Sequence, residues 1–232
     1  MIPAVAGEDI FTSLDLPSQK VAYDELNNRR GAVVAVDIND GSIVTYVSSP
    51  SFSVNKIANG LTQNEFDELI NDDDKPFFDR AAQGRYSPAS TIKPAIGLFG
   101  IDKDILDWEY TIQDPGFFIL PEDGRIYRGW KKGGHGEINL KDAIIESSNT
   151  FFFSLAYQTE IEELRAHLSN FGFGKNVCDD CFMPDNGLLP SPRWKMNTHN
   201  FGWFKGDTVN VGVGQGYILS LIHISEPTRQ AS

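Results

Sequence analysis

The chain has 232 residues, of which 41% are hydrophobic and 12% aromatic, and its formal net charge is −12. This hydrophobic content suffices for a sizeable buried core and excludes an intrinsically disordered protein. The acidic excess, without any dense run of Lys and Arg, argues against a nucleic-acid partner. No apolar run is long enough to cross a membrane, and the first residues lack the pattern of a signal peptide. We therefore expect most or all of one globular domain.

The first third of the chain predicts a helix followed by an antiparallel hairpin. Residues 13–30 are rich in helix-forming residues. Residues 31–50 alternate between apolar and polar side chains, and Asn39-Asp40-Gly41 suits the tight turn between two strands. The acidic run Asp72-Asp73-Asp74 lacks the glycine and the distal glutamate of a calcium loop, so we interpret it as a solvated surface.

A helical lobe of about 87–174 is predicted after the hairpin. Its stretch from Phe151 to Leu155 is apolar on nearly every side, which indicates a buried helix. Residues 207–218, DTVNVGVGQGYI, then resemble a strand. A hairpin, a helical lobe and a returning strand are typical of an α+β domain with an antiparallel sheet, which we place at 1–218.

The segment YSPASTIKPA places Ser90 three residues before Lys93, with Pro94 where a helix begins. Proline is favoured in the first helical turn, because the N–H that it lacks has no partner there. Ser90 and Lys93 then share one face near the positive end of the helix dipole, so their side chains can touch. A lysine whose pKa is lowered can accept the serine proton, which suits a covalent serine enzyme. An N-cap serine beside an exposed lysine is the alternative.

A second polar element, Ser147-Ser-Asn149, lies between two predicted helices. Ser147 can pass a proton to a leaving amine, and the Asn149 amide can bind a substrate carbonyl and hydrogen-bond Lys93. A helix break with ordinary capping residues is the alternative. A further S-x-x-K, from Ser53 to Lys56, opens no long helix, and we interpret it as chance.

Together, these motifs resemble those of the penicillin-binding transpeptidases, which use S-x-x-K, S-x-N and K-T-G. The resemblance extends over about residues 8 to 218 and is strongest to the class B, elongation-specific penicillin-binding protein 2 group. The matching stretches are AVVAVD (32–37), SPSF (49–52), RA (80–81), DPG (114–116), WKKGGHG (130–136) and GDTVNVGVGQGY (206–217). This similarity implies the fold of penicillin-binding proteins and serine β-lactamases.

The resemblance implies a peptidoglycan D,D-transpeptidase in which Ser90, Lys93, Ser147 and Asn149 are catalytic. Ser90 would attack the penultimate D-Ala carbonyl of a stem peptide, and a neighbouring stem would then complete the cross-link. It also implies β-lactam antibiotics as ligands and a rod-shape glycosyltransferase as partner. A serine β-lactamase and a non-catalytic β-lactam-sensing domain are the alternatives.

Family members carry a membrane anchor and a pedestal domain before this region. We therefore expect the full-length protein at the periplasmic face of the inner membrane, with no anchor in this chain. The K-T-G motif is absent, and we interpret 219–232, LSLIHISEPTRQAS, as a translated sequencing adapter. The domain is then truncated at its C-terminal end, so we expect the isolated chain to fold poorly and to be inactive.

Some family members bind zinc through two aspartates, a histidine and a cysteine. Asp114 and His135 match two of these positions, whereas Gly129 and Ser148 occupy the other two. Because a closed zinc site uses four protein ligands, we expect no metal and no other cofactor.

Three further residues stand out. Cys178 and Cys181 form a lone C-x-x-C without a second pair at zinc-ligand spacing, so we interpret them as a loop pair or a local disulfide. Ala89 stands where the family usually has a glycine, directly before the serine of the first motif.

Overall fold

The structure, a computed structural model, describes residues 7–177 and 185–222. Its internal contacts divide the chain into two compact units, the first ending at Ala81 and the second beginning at Ala82. The sequence predicts one domain over 1–218, without a sign of this division. Cys178 and Cys181 lie outside the described residues, so their pairing stays a prediction.

The first unit is built around an antiparallel hairpin. Helix α1 (Leu16–Leu26) packs on strands β1 (Gly31–Val36) and β2 (Ile43–Ser49), which pair with each other. Asp15 caps α1 by accepting the N–H of Ser18 at 2.9 Å. The helix predicted within 13–30 and the hairpin predicted at 31–50 are therefore confirmed.

Three short helices follow the hairpin, namely α2 (Val54–Ala58), α3 (Gln63–Asn71) and α4 (Arg80–Gln83). The exposed Ser53 caps α2, and its Oγ accepts the N–H of Lys56 at 3.3 Å. The second S-x-x-K is thus a surface helix cap, which agrees with its interpretation as chance.

The second unit mixes helices with short strands. A 3₁₀ turn (Ala89–Ile92) leads directly into the first long helix. The remaining elements are α5 (Lys93–Asp102), β3 (Thr111–Asp114), β4 (Phe117–Ile119), β5 (Ile126–Arg128), β6 (Gly136–Asn139), α6 (Leu140–Ile145), α7 (Asn149–Tyr157), α8 (Ile161–Asn170), α9 (Pro192–His199) and α10 (Lys205–Val211). No helix among the described residues is both long and apolar enough to span a bilayer.

Helix α7 is the centre of the second unit. It contacts α5, α6, α10 and the strands β3, β4 and β5. Six of its nine residues are buried, namely Thr150, Phe151, Phe152, Phe153, Leu155 and Ala156. The buried helix that the sequence predicts is therefore confirmed, and its N-terminus holds the Ser147-Ser-Asn149 element.

The four strands β3 to β6 lie inside the region 87–174, which the sequence analysis predicts as helical. β3 pairs with β6 and β4 pairs with β5, both antiparallel. Glycines with positive φ interrupt the chain here, including Gly116 (+88°), Gly124 (+72°) and Gly136 (+75°). An α-helix cannot contain such backbone conformations, so the helical prediction is wrong for this stretch.

The stretch 207–218, predicted as a returning strand, instead provides most of α10 and the turn that follows. Alternating valines favour a strand locally, but Val209 and Val211 are both buried in a helix that packs on α7. Tertiary burial therefore outweighs the local β propensity. The described residues contain three two-stranded antiparallel sheets, and this mixture of helices and antiparallel strands confirms the α+β class.

The described part of 219–232 pairs with earlier residues through its main chain. Ser220 exchanges hydrogen bonds of 2.8 and 2.9 Å with Tyr86, and Leu219 exchanges two with Leu188. Main-chain pairing of this kind does not depend on the side chains involved. The origin of 219–232 as a translated adapter therefore stays a prediction.

The burial of α7 generates the first prediction. Phe152→Ala in the full-length gene product is expected to lower the free energy of unfolding by about 3–5 kcal/mol, because it leaves a cavity at a side chain that is 0% exposed. The control is Phe201→Ala, at a side chain that is 65% exposed, with an expected loss below about 1 kcal/mol. Urea unfolding measures both, and equal losses would contradict the central position of α7.

Candidate active site

The first motif lies on a tight turn that continues into a helix. Ser90 belongs to the 3₁₀ turn and is exposed, and Pro94 lies in the first turn of α5 as predicted. The N–H of Lys93 donates to the carbonyl oxygen of Ser90. Residues three apart in a 3₁₀ turn are eclipsed, so both residues of the motif lie on one side of the turn.

Lys93 is buried, with an exposed fraction of 2%. Its Nζ donates to the carbonyl oxygen of Ser147 at 2.8 Å, to Ser147 Oγ at 3.1 Å and to Asn149 Oδ1 at 2.7 Å. An ammonium group has three donors, and each of them has an acceptor here. The predicted hydrogen bond between Asn149 and Lys93 is therefore present, and the alternative of an exposed lysine is wrong.

Burial changes the proton affinity of this amine. It lowers the pKa of Lys93 to about 8, since the loss of water disfavours the charged form. The neutral form is then well populated at mildly alkaline pH and can accept a proton. In that form the Ser147 hydroxyl, 3.1 Å away, can donate to Nζ instead of accepting from it.

The Ser147-Ser-Asn149 element lies where predicted, between α6 and α7. Ser147 has a left-handed backbone (φ +53°). Ser148 caps α7, and its Oγ accepts the N–H of Phe151 at 3.2 Å. Asn149 is the first residue of α7. This sharp change of direction brings the polar groups of Ser147 and Asn149 together on the amine of Lys93.

The direct contact between Ser90 and Lys93 that the spacing predicts is not formed as a hydrogen bond among the described residues. The three donors of Lys93 are already taken by Ser147 and Asn149. The structure therefore brings together three of the four predicted residues, and Ser90 lies on the exposed turn that leads into α5.

Ala89 and Gly214 form a close backbone contact beneath Ser90. Ala89 has a positive φ of +49°, and its N–H donates to the carbonyl oxygen of Gly214 at 2.8 Å. A Cβ at Gly214, itself at φ +68°, would overlap the backbone of Ala89. Only glycine permits this approach. Gly214 is a site residue that motif spacing does not predict, although the repeated glycines of VGVGQG mark its position.

An ion pair between a buried lysine and a partly buried aspartate fixes the start of α10, which leads to Gly214. Lys195 Nζ lies 2.6 Å from Asp207 Oδ2, and the same oxygen accepts the N–H of Phe204 at 2.7 Å. Aromatic rings surround the ammonium group at 4.7 to 6.0 Å, namely Phe204, Tyr217 and Trp203. No pattern in the sequence marks this pair, because it joins two separate helices.

The two zinc candidates are hydrogen-bonded to each other. His135 Nδ1 lies 2.7 Å from Asp114 Oδ2, the Ser148 hydroxyl donates to the same oxygen at 2.7 Å, and the Gly116 N–H donates to Oδ1 at 2.7 Å. Burial alone would raise the pKa of Asp114, but the hydrogen bonds from His135 and Ser148 outweigh burial, so its pKa is lowered. Asp114 is therefore a carboxylate at neutral pH.

The donor set does not fit a four-ligand zinc site. Gly129 has no side chain, and the Ser148 hydroxyl is used as a donor to Asp114. Within 7–177 and 185–222, no three side chains of His, Cys, Asp or Glu are gathered so that they could hold a metal ion. No chemical step is therefore assigned to a metal.

The chain is similar to known proteins. Residues 31–226 match the family described as the penicillin binding protein transpeptidase domain. The peptidoglycan D,D-transpeptidase MrdA of Acinetobacter baumannii is 43% identical over 210 residues, which are 90% of this chain and 31% of that protein. The chain thus spans about a third of the length of the curated relatives that it matches.

Solved structures are also similar. Pseudomonas aeruginosa PBP2, solved in complex with WCK 5153, is 37% identical with a TM-score of 0.90, covering 95% of this chain and 48% of that one. Helicobacter pylori PBP2, solved in complex with MreC, is 31% identical with a TM-score of 0.86, covering 91% of this chain and 40% of that one.

The positive φ of Ala89 generates a prediction about stability. Ala89→Gly is expected to raise the free energy of unfolding by about 1 kcal/mol, because a Cβ in the left-handed region costs roughly 1–2 kcal/mol. The control is Ala95→Gly inside α5, which is expected to lower it by about 1 kcal/mol. Urea unfolding of the full-length gene product compares them, and losses of the same size would show that Ala89 is unstrained.

Proposed function

The chain belongs to the penicillin-binding protein transpeptidase family, and from this we propose that the full-length protein is a peptidoglycan D,D-transpeptidase. It cross-links stem peptides through an acyl-enzyme on Ser90 during cell-wall elongation. The observation that supports this most directly is the buried Lys93, held by Ser147 and Asn149 and with its pKa lowered to about 8. Burial lowers the pKa of any lysine, but here the amine also contacts Ser147 and Asn149 and follows Ser90 by three residues, which is the arrangement that a general base needs.

In the acylation step, Ser90 Oγ attacks the penultimate D-Ala carbonyl carbon and its proton passes to the neutral amine of Lys93. This transfer needs the Ser90 hydroxyl within hydrogen-bond reach of Nζ, a contact that often forms only once substrate is bound. The peptide C–N bond then breaks. The terminal D-Ala leaves after its nitrogen takes a proton from Lys93 through the Ser147 hydroxyl, which lies 3.1 Å from Nζ.

In the second step, an amine of a neighbouring stem attacks the ester carbonyl. Its proton passes through Ser147 to Lys93, the ester C–O bond breaks, and Ser90 recovers its proton. The products are the amide cross-link and the free enzyme. Asn149 uses Oδ1 on Lys93, so its two amide N–H donors are left for a substrate carbonyl oxygen. The N–H of Ser90 stabilises the oxyanion.

The ligands and partners of relatives support a proposal about those of this protein. Because β-lactams imitate the D-Ala-D-Ala end of the stem, we propose that they acylate Ser90. The solved complex of Helicobacter pylori PBP2 with MreC supports assembly with further proteins. We propose a rod-shape glycosyltransferase as one partner and the periplasmic face of the inner membrane as the location.

Removal of the nucleophile tests the function. Ser90→Ala in the full-length gene product is expected to abolish covalent labelling by fluorescent penicillin, seen on a denaturing gel. Ser53→Ala, at the serine of the chance S-x-x-K, is the matched control and is expected to label normally. Labelling that persists in Ser90→Ala would contradict the assignment.

Two further readouts address the alternatives. Rapid release of the bound drug would favour a serine β-lactamase. Acylation without any turnover of stem peptides would favour a sensing domain.

The lowered pKa of Lys93 predicts a pH dependence. Only the neutral amine accepts the serine proton, so the acylation rate is expected to rise with pH, with a midpoint of about 8. Lys93→Arg keeps a cation at every accessible pH, so this variant is expected to lose acylation and, with it, the rise of the acylation rate with pH. Stopped-flow labelling measures the profile, and a flat profile between about pH 6.5 and 9 would contradict a base with this pKa.

A further inference from the structure

Ser148 lies between the two polar residues that hold Lys93. Its side chain is fully buried, with an exposed fraction of 0%. The hydroxyl donates to Asp114 Oδ2 at 2.7 Å and accepts the N–H of Phe151 at 3.2 Å. One hydroxyl therefore connects the first turn of α7 to the end of β3.

Asp114 is a fixed anchor for this connection. Its side chain is 1% exposed and is also bound by His135 Nδ1 at 2.7 Å and by the N–H of Gly116 at 2.7 Å. Its main-chain oxygen accepts the N–H of His135 at 3.1 Å. A buried carboxylate with several donors has one low-energy position, because every alternative leaves a charged oxygen unpaired.

We propose that Asp114 is a positioning residue that acts through Ser148, and that the cluster of Asp114, His135 and Ser148 does so without a metal ion. Lys93 holds Ser147 and Asn149 from one side, and the Ser148–Asp114 hydrogen bond holds the residue between them from the other. With both anchors, Ser147 Oγ and Asn149 Oδ1 stay on the amine at 3.1 and 2.7 Å. This inference rests on the proposed function, since acylation is its readout.

The hydrogen bonds also explain why no metal is needed. Asp114 Oδ2 already has two partners, His135 and Ser148. Gly129 contributes no side chain to this site. Asp114 Oδ2 and the Ser148 hydroxyl are therefore committed to a network that fixes β3 and the start of α7. Among the described residues His135 Nε2 is buried without a hydrogen-bond partner, but one imidazole nitrogen does not make a closed four-ligand zinc site.

The test compares two serines of the same region in the full-length gene product. Ser148→Ala removes the bond to Asp114, whereas Ser154→Ala, in the middle of α7, leaves it in place. Stopped-flow acylation by fluorescent penicillin gives a limiting rate constant and a half-saturation concentration for each. Ser148→Ala is expected to lower the limiting rate constant about 10-fold with half-saturation changed less than about 2-fold, and Ser154→Ala to change neither.

Two further variants separate positioning from folding. Ser148→Thr keeps both the hydroxyl donor and the N-cap oxygen, so it is expected to recover part of the lost rate. If Ser148→Ala does not melt cooperatively, Asp114→Asn replaces it, because it keeps the shape of the side chain and removes the charge. It is expected to lower the limiting rate constant in the same way.

The metal-free part is tested on the wild-type protein. Elemental analysis is expected to find no stoichiometric zinc, and EDTA is expected to leave the acylation rate unchanged. Stoichiometric zinc, or loss of acylation in EDTA, would overturn this part. Equal rates for Ser148→Ala and Ser154→Ala beside normal wild-type labelling would overturn the positioning role alone. A wild type that is not labelled would overturn the proposed function, and the inference with it.

Discussion

A lysine amine cannot be buried at low cost unless its donors have partners, and the site of this protein is arranged around that constraint. α5 carries Lys93 into the core, and the sharp junction between α6 and α7 supplies all three oxygen acceptors. Burial lowers the pKa of the amine, while the hydrogen bonds keep its charged form tolerable. The same three hydrogen bonds join α5 to the start of α7 and position the amine as a base. Stability and chemistry therefore both depend on Lys93 Nζ.

Sequence patterns predicted the elements whose structure is set by neighbouring residues, through hydrophobic periodicity and turn-forming residues. The hairpin at 31–50 follows from alternation and a glycine turn, and α7 follows from an apolar stretch too uniform for a surface helix. The strands at 111–139 were missed because each has only three or four residues, too few to show a period. α10 was missed because its valines favour a strand until α7 covers them.

The site residues also fall into two groups, those that local sequence patterns predict and those that depend on the packing of distant segments. Motif spacing predicted Lys93, Ser147 and Asn149, and their hydrogen bonds follow from ordinary donor and acceptor chemistry. The positive φ of Gly214 and its approach to Ala89 depend on how distant segments pack. The repeated glycines of VGVGQG mark the position, but they do not reveal that Ala89 is its partner. The Asp114–Ser148 bond was hidden for another reason, since both positions first drew attention as places where metal ligands match or fail to match.

The contact between Ala89 and Gly214 has a consequence for sequence variation at this turn. It is made by main-chain atoms and by the lack of a side chain, so substitution at Gly214 cannot adjust it without moving the turn that carries Ser90. Variation at this position is therefore expected to displace Ser90, whereas substitution at the exposed side chains of the turn, such as Thr91, leaves the contact between the two main chains in place.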